Sequence, residues 1–164
     1  MQYAVLIRGI GPGNPNMKNE KLCAALESLG FTNVHAIISS GNLIFESKSR
    51  DSAKLESQIE KAFADKLGLT KNFVVIRSKD ELEELIASNP FKGKEHGEKS
   101  YLLVTFFKDR NAVKGGFIAS VIDTEDMRTP EFMSNLEKKY GKQITSRTWL
   151  TIGRIVKKFE KTQK

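Results

Sequence analysis

The sequence predicts an α+β protein of two subdomains, the first a βαββαβ unit and the second a related but shorter α+β unit. Three observations carry this. Short β-rich segments alternate with segments whose apolar residues recur at helical spacing. Up to Arg77 their order is β-α-β-β-α-β, the split pattern of ferredoxin-like folds, an antiparallel sheet with helices on one face. At 164 residues the chain suits one domain or two small subdomains sharing a core.

Tyr3 to Arg8 reads as a strand, and Gly9, Gly11, Pro12, Gly13 and Pro15 stop it. Asn16 is the expected helix N-cap, because its side-chain oxygen can accept from an orphan backbone N–H. Leu22, Ala25, Leu26 and Leu29 then repeat at helical spacing up to Gly30. Val34 to Ile38 and Leu43 to Glu46 are strands joined by the turn Ser39-Ser40-Gly41-Asn42. Asp51 or Ser52 opens a second helix with Leu55, Ile59, Phe63 and Leu67 inward, and Gly68 ends it. Asn72 to Arg77 is the fourth strand.

Ser78-Lys79-Asp80-Glu81 is a capping-box sequence, opening a short helix that Asn89-Pro90 closes. The polar stretch from Lys92 to Ser100 reads as a loop. Tyr101 to Phe107 and Phe117 to Ile122 read as paired strands across Gly115-Gly116. Thr129-Pro130 opens a helix carrying Phe132, Met133, Leu136 and Tyr140. Gln143 to Ser146 is extended, and a last helix carries Trp149, Ile152, Val156 and Phe159 on one face. The expected subdomains are residues 1–77 and 78–164.

No apolar run reaches the roughly 20 residues that cross a bilayer, and no secretory signal opens the chain. Cys23 is the single cysteine, which excludes an internal disulfide and points to a reducing cytoplasm. The net charge is +7, and the segment from Lys142 to Lys164 alone carries +6. That concentration raises a nucleic-acid reading through Arg154, Lys157, Lys158 and Lys161, set against the plainer reading of a solubilising tail.

In a βαββαβ unit with right-handed crossovers the first two strands run the same way. The loop after the first strand and the hairpin after the second therefore emerge at one edge. Arg8, Gly9, Asn14, Asn16, Ser39, Ser40 and Asn42 meet there, with an anion or phosphate as the expected ligand. The plainer alternative is a tight turn shaped by Gly and Pro, with Arg8 paired locally.

The residues Tyr3-Ala4-Val5-Leu6-Ile7-Arg8-Gly9-Ile10, Phe31-Thr32-Asn33-Val34 and Ser40-Gly41-Asn42-Leu43-Ile44-Phe45 resemble the bacterial family designated domain of unknown function 1697. Near the C-terminus, Ile144-Thr145-Ser146-Arg147-Thr148-Trp149 with Thr151 is similar to that family's T-T-R-N-W-x-T motif. The resemblance implies two α+β subdomains of ferredoxin-like character and no established activity. It departs from the family pattern at Gly11 and at Thr148, where relatives carry Asn. It also brings Arg147 and Trp149 into the ligand-site expectation, as neighbours completing a cleft at the same edge.

Other chemistries fall on inspection. Gly9-x-Gly11-x-Gly13 has Asn14 where a dinucleotide loop needs its last glycine, and no Walker A sequence occurs. His35 and His96 lack ligand-spaced partners, so neither a metal nor a cofactor is expected. Cys23 reads as an inert thiol and His96 as solvated, and Ser39 and Ser40 lack an identifiable base. Tyr3 and Phe45 stand on the strands that stack bases in RNA recognition motifs, but both strand faces are apolar, so the second subdomain is expected to cover the sheet. The leading expectation is a small-ligand or anion-binding protein. A nucleic-acid module and a protein-interaction module are the alternatives.

Overall fold

The computed structural model describes residues 1–9, 13–38, 41–98, 100–123 and 131–162. They form two compact units, Met1–Glu83 with Arg154–Lys164, and Glu84–Gly153.

In the first unit, strands β1 (Gln2–Ile7), β2 (Thr32–Ala36), β3 (Asn42–Glu46) and β4 (Val74–Ser78) form an antiparallel sheet in the order β2-β3-β1-β4. Helices α1 (Asn19–Glu27) and α2 (Ser52–Leu67) fill the two crossovers, so the βαββαβ expectation holds element by element. Alternation along each strand sends Tyr3, Val5, Ile7, Leu43, Phe45 and Ile76 to one face. There they pack with Leu22 and Leu26 of α1 and with Leu55, Ile59 and Phe63 of α2.

Tyr3 stacks on Phe45 at 5.4 Å, and its hydroxyl donates to the Ser49 carbonyl at 2.7 Å. Both rings are therefore core groups. The second face of the sheet carries Ala4, Leu6, Ile44 and Val75, all buried. The segment from Arg154 belongs to this unit, buries Ile155 and Phe159, and ties back where Gln2 Nε2 donates to Thr162 Oγ1 at 3.3 Å.

Several boundaries differ from expectation for local reasons. Asn14, not Asn16, makes the N-terminal cap: its Oδ1 accepts from Asn16 N at 2.9 Å above a 3-10 turn, Pro15–Met17. Pro15 suits the first position because it has no N–H to lose. Helix α1 then starts behind Lys18, which makes no side-chain cap. Strand β2 starts and stops two residues earlier than expected, with an irregularity between Thr32 and His35 around the positive φ of Asn33. Helix α2 begins and ends as read: Asp51 accepts from Lys54 N, and Gly68 takes the left-handed cap.

Helix α3 (Lys79–Ser88) opens on the expected capping box, with Ser78 N donating to Glu81 Oε2 at 2.7 Å and Glu81 N to Ser78 Oγ at 3.2 Å. In the second unit β5 (Ser100–Phe107), β6 (Phe117–Asp123) and β7 (Ile144–Thr148) form an antiparallel sheet in the order β6-β5-β7. Helix α4 (Glu131–Tyr140) sets Tyr140 edge-on to Phe107 at 5.1 Å. Its expected start at Thr129-Pro130 lies outside the described residues. Helix α5 is Trp149–Thr162. His96 is not simply solvated: Nδ1 accepts from Leu102 N at 3.1 Å and the ring stacks on Tyr101 at 5.0 Å.

Among the described residues no helix is long and apolar enough to cross a membrane.

Candidate functional site

The end of the first sheet where β1 finishes brings together the two loops that the topology places there. Ile7 N donates to Gly41 O at 2.8 Å, Leu6 pairs with Asn42, and Arg8 N donates to Phe73 O at 3.0 Å. Three chain segments thus meet at one place, and Asn42 is buried among them. Ser39 and Ser40 lie outside the described residues.

The polar groups of this end bond largely to one another. Asn72 Nδ2 donates to the carbonyls of Arg8 at 2.9 Å and Gly9 at 2.8 Å. Gly9 has φ +83°, and a Cβ there would stand 2.8 Å from that same amide nitrogen, so glycine is required twice over. The Arg8 guanidinium lies 5.9 Å from the Phe73 ring centroid, and burial lowers its pKa from the usual arginine value. Asn16 Oδ1 accepts from Lys21 Nζ at 3.1 Å. Asn19 Nδ2 donates to Ile38 O at 2.9 Å, while its Oδ1 is buried with no partner among the described residues.

Neither Asn72 nor Asn19 was singled out by sequence reasoning. Asn72 lies 64 residues from Arg8, and no periodicity marks it. Replacing Asn72 with Ala should remove both bonds and destabilise the protein by about 1–3 kcal/mol, measured by urea unfolding. An unchanged midpoint would mean that the amide only fills space.

Arg147 and Trp149 belong to the second unit. On β7, Arg147 donates through one nitrogen to Thr145 Oγ1 at 2.7 Å and Ser146 O at 2.8 Å, and burial pulls its pKa down to about 10. Trp149, the first residue of α5, meets Phe91 edge-on at 5.0 Å. Between them Thr148 Oγ1 accepts from Thr151 N at 3.2 Å, the bond of a helix N-cap. The threonine that replaces the family asparagine therefore performs a task that asparagine also performs well.

The C-terminal half of α5 forms a different kind of surface. Arg154, Lys157, Lys158 and Lys161 recur at helical spacing, so they share an arc of about 100° over about 10 Å of axis. Ile155, Val156 and Phe159 take the opposite side and are buried. With Ala36 and Ile37 at the end of β2, the four cations line a cleft of about 300 Å³. Arg154, Lys157 and Lys161 are exposed, and Lys158 is half-buried. None of the four side chains makes an ion pair or hydrogen bond to another described residue.

Two neighbouring groups shape what this cleft can hold. The amide of Ile37 donates to Asn42 O, so alternation turns the Ala36 amide outward from the sheet. There it faces the thiol of Cys23, whose pKa burial and Glu27 raise against the small lowering effect of that amide.

A larger cavity of about 620 Å³ lies by the start of β2 and the end of β3, lined by Phe31, Thr32, Glu46, Ser47, Lys48 and Lys54 among others. It mixes charge signs and was not foreseen from the sequence. Among the described residues no cluster of three or more His, Cys, Asp or Glu is placed to hold a metal.

Residues 1–131 match the family model described as Protein of unknown function (DUF1697). Among solved structures, the chain is similar to a conserved bacterial protein from Streptococcus pneumoniae, at 23% identity and a TM-score of 0.69. That similarity covers 95% of this chain and 97% of the other. At such identity it speaks for the fold alone. No curated protein matches the sequence.

Proposed function

The chain belongs to the DUF1697 family, and from that starting point we propose that it binds phosphate-bearing ligands through the basic face of α5. One observation carries the reading: four cations on a single helical arc line a cleft, and none of them forms an ion pair with a described residue. Exposed lysines usually find solvent or a neighbouring acid. Four aligned cations with no ion pair among the described residues set up a positive potential that an anion relieves.

The end of the sheet around Arg8, Gly9, Asn14, Asn16 and Asn42 is the competing location. Its carbonyls and amides engage one another, which supports a structural role for them. The buried Oδ1 of Asn19, without a partner among the described residues, is the feature that speaks for a ligand there.

Titration with tripolyphosphate, followed by thermal shift, separates the two locations. Binding raises the melting temperature in proportion to occupancy of the folded state. The shift should vanish in a Lys157→Glu, Lys158→Glu double variant and survive in Arg8→Ala. The reverse pattern would move the site to the end of β1. No shift in the unaltered protein would end the phosphate reading altogether.

A further inference from the structure

Resting on that phosphate reading, we infer that the natural ligand is the backbone of a nucleic acid, held by charge and without readout of its bases. Among the described residues the cleft's lining is four cations and two apolar residues, Ala36 and Ile37. Base readout calls for Asn, Gln or paired donors and acceptors at base edges, or aromatic rings for stacking. Among the described residues none of these lines the cleft, and Tyr3 and Phe45 are spent in the core.

A small phosphate compound would be gripped by converging donors in an enclosed pocket. Here the cations instead run in a line of about 10 Å along one helix, a layout that follows a chain of successive charges.

Two other polyanionic partners fit less well. A basic amphipathic helix binds membranes by sinking its apolar side into the lipid. In α5 that side is already occupied, with Ile155 and Phe159 fully buried. An acidic peptide adding as a strand would need the open edge of β2. The backbone of Ala36 is turned toward Cys23 there, and Asn33 interrupts the strand with a positive φ.

Four neutralised phosphates predict a definite salt response. The logarithm of the binding constant should fall against log salt with a slope of about −2.8 on a single strand or about −3.6 on a duplex. Between 50 and 200 mM NaCl that is roughly a 50- to 150-fold loss. Fluorescence anisotropy with labelled 20-mers of unrelated sequence measures it, using the full chain.

Lys157→Gln with Lys158→Gln should halve the slope and weaken every sequence equally. Lys157 is exposed and Lys158 half-buried, so an unchanged melting temperature checks that the variant folds. A slope near zero, or a strong preference for one sequence, would overturn the inference. Tripolyphosphate binding without oligonucleotide binding would overturn it too, while leaving the phosphate reading intact. If neither ligand binds, both fall. Binding only to vesicles rich in phosphatidylserine would reassign the surface to lipid.

Discussion

Replacing Phe159 with Ala should destabilise the first unit by about 3–5 kcal/mol, among the larger effects available to a single substitution here. Phe159 is fully buried, although it stands five residues from the C-terminus. The segment it anchors groups with residues 1–83 and ties to Gln2 through Thr162. Losing the ring leaves a cavity beneath the helix and loosens its hold on the first unit. Urea unfolding should show a lowered midpoint, and phosphate binding should weaken alongside, because the apolar side of α5 sets the direction of its basic side. A loss below about 1 kcal/mol would mean that the helix end contributes little to the unit.

A second large effect is expected at Glu56. This residue of α2 is buried, and its Oε1 accepts from Ile76 N at 3.0 Å. Strand β4 is the last in the sheet order, so the N–H groups it turns away from β1 have no strand to meet. Glu56 supplies an acceptor to one of them. Changing Glu56 to Leu orphans a buried donor, at a cost of about 1–3 kcal/mol, and leaves the edge more open to pairing with another chain. Glu56→Gln keeps a carbonyl oxygen in place and should recover much of the loss. Urea unfolding of the two variants, with light scattering to follow association, tests this. Equal stability for Leu and Gln would sink the hydrogen-bond account.

Much of the fold was legible because its signals are local. Asp51 and Gly68 bracket α2 as their side-chain chemistry requires, and Ser78 with Glu81 forms the reciprocal cap that their spacing announces. The convergence of the first loop with the β2–β3 hairpin followed from crossover handedness and is visible in the Ile7–Gly41 bond. Where local chemistry offered two answers, reading was less secure. Asn14 and Asn16 are both competent caps, and Pro15 between them decided the matter.

The candidate site was legible only in part. Four basic residues at helical spacing stand in plain sight near the C-terminus. Their lack of ion pairs among the described residues, and the two residues at the end of β2 that complete the cleft, do not appear in any local window. Asn72 and Asn19 were invisible for the same reason.

On its own, the sequence determined the kinds of element, their order and the ends of most helices. Those depend on side chains interacting with backbone a few residues away. Tertiary structure alone decided which side of α5 is buried, where its cations point and how the end of β1 satisfies its carbonyls. Each of these joins residues tens to more than a hundred positions apart, and periodicity in one segment holds no information about the partner another segment will bring.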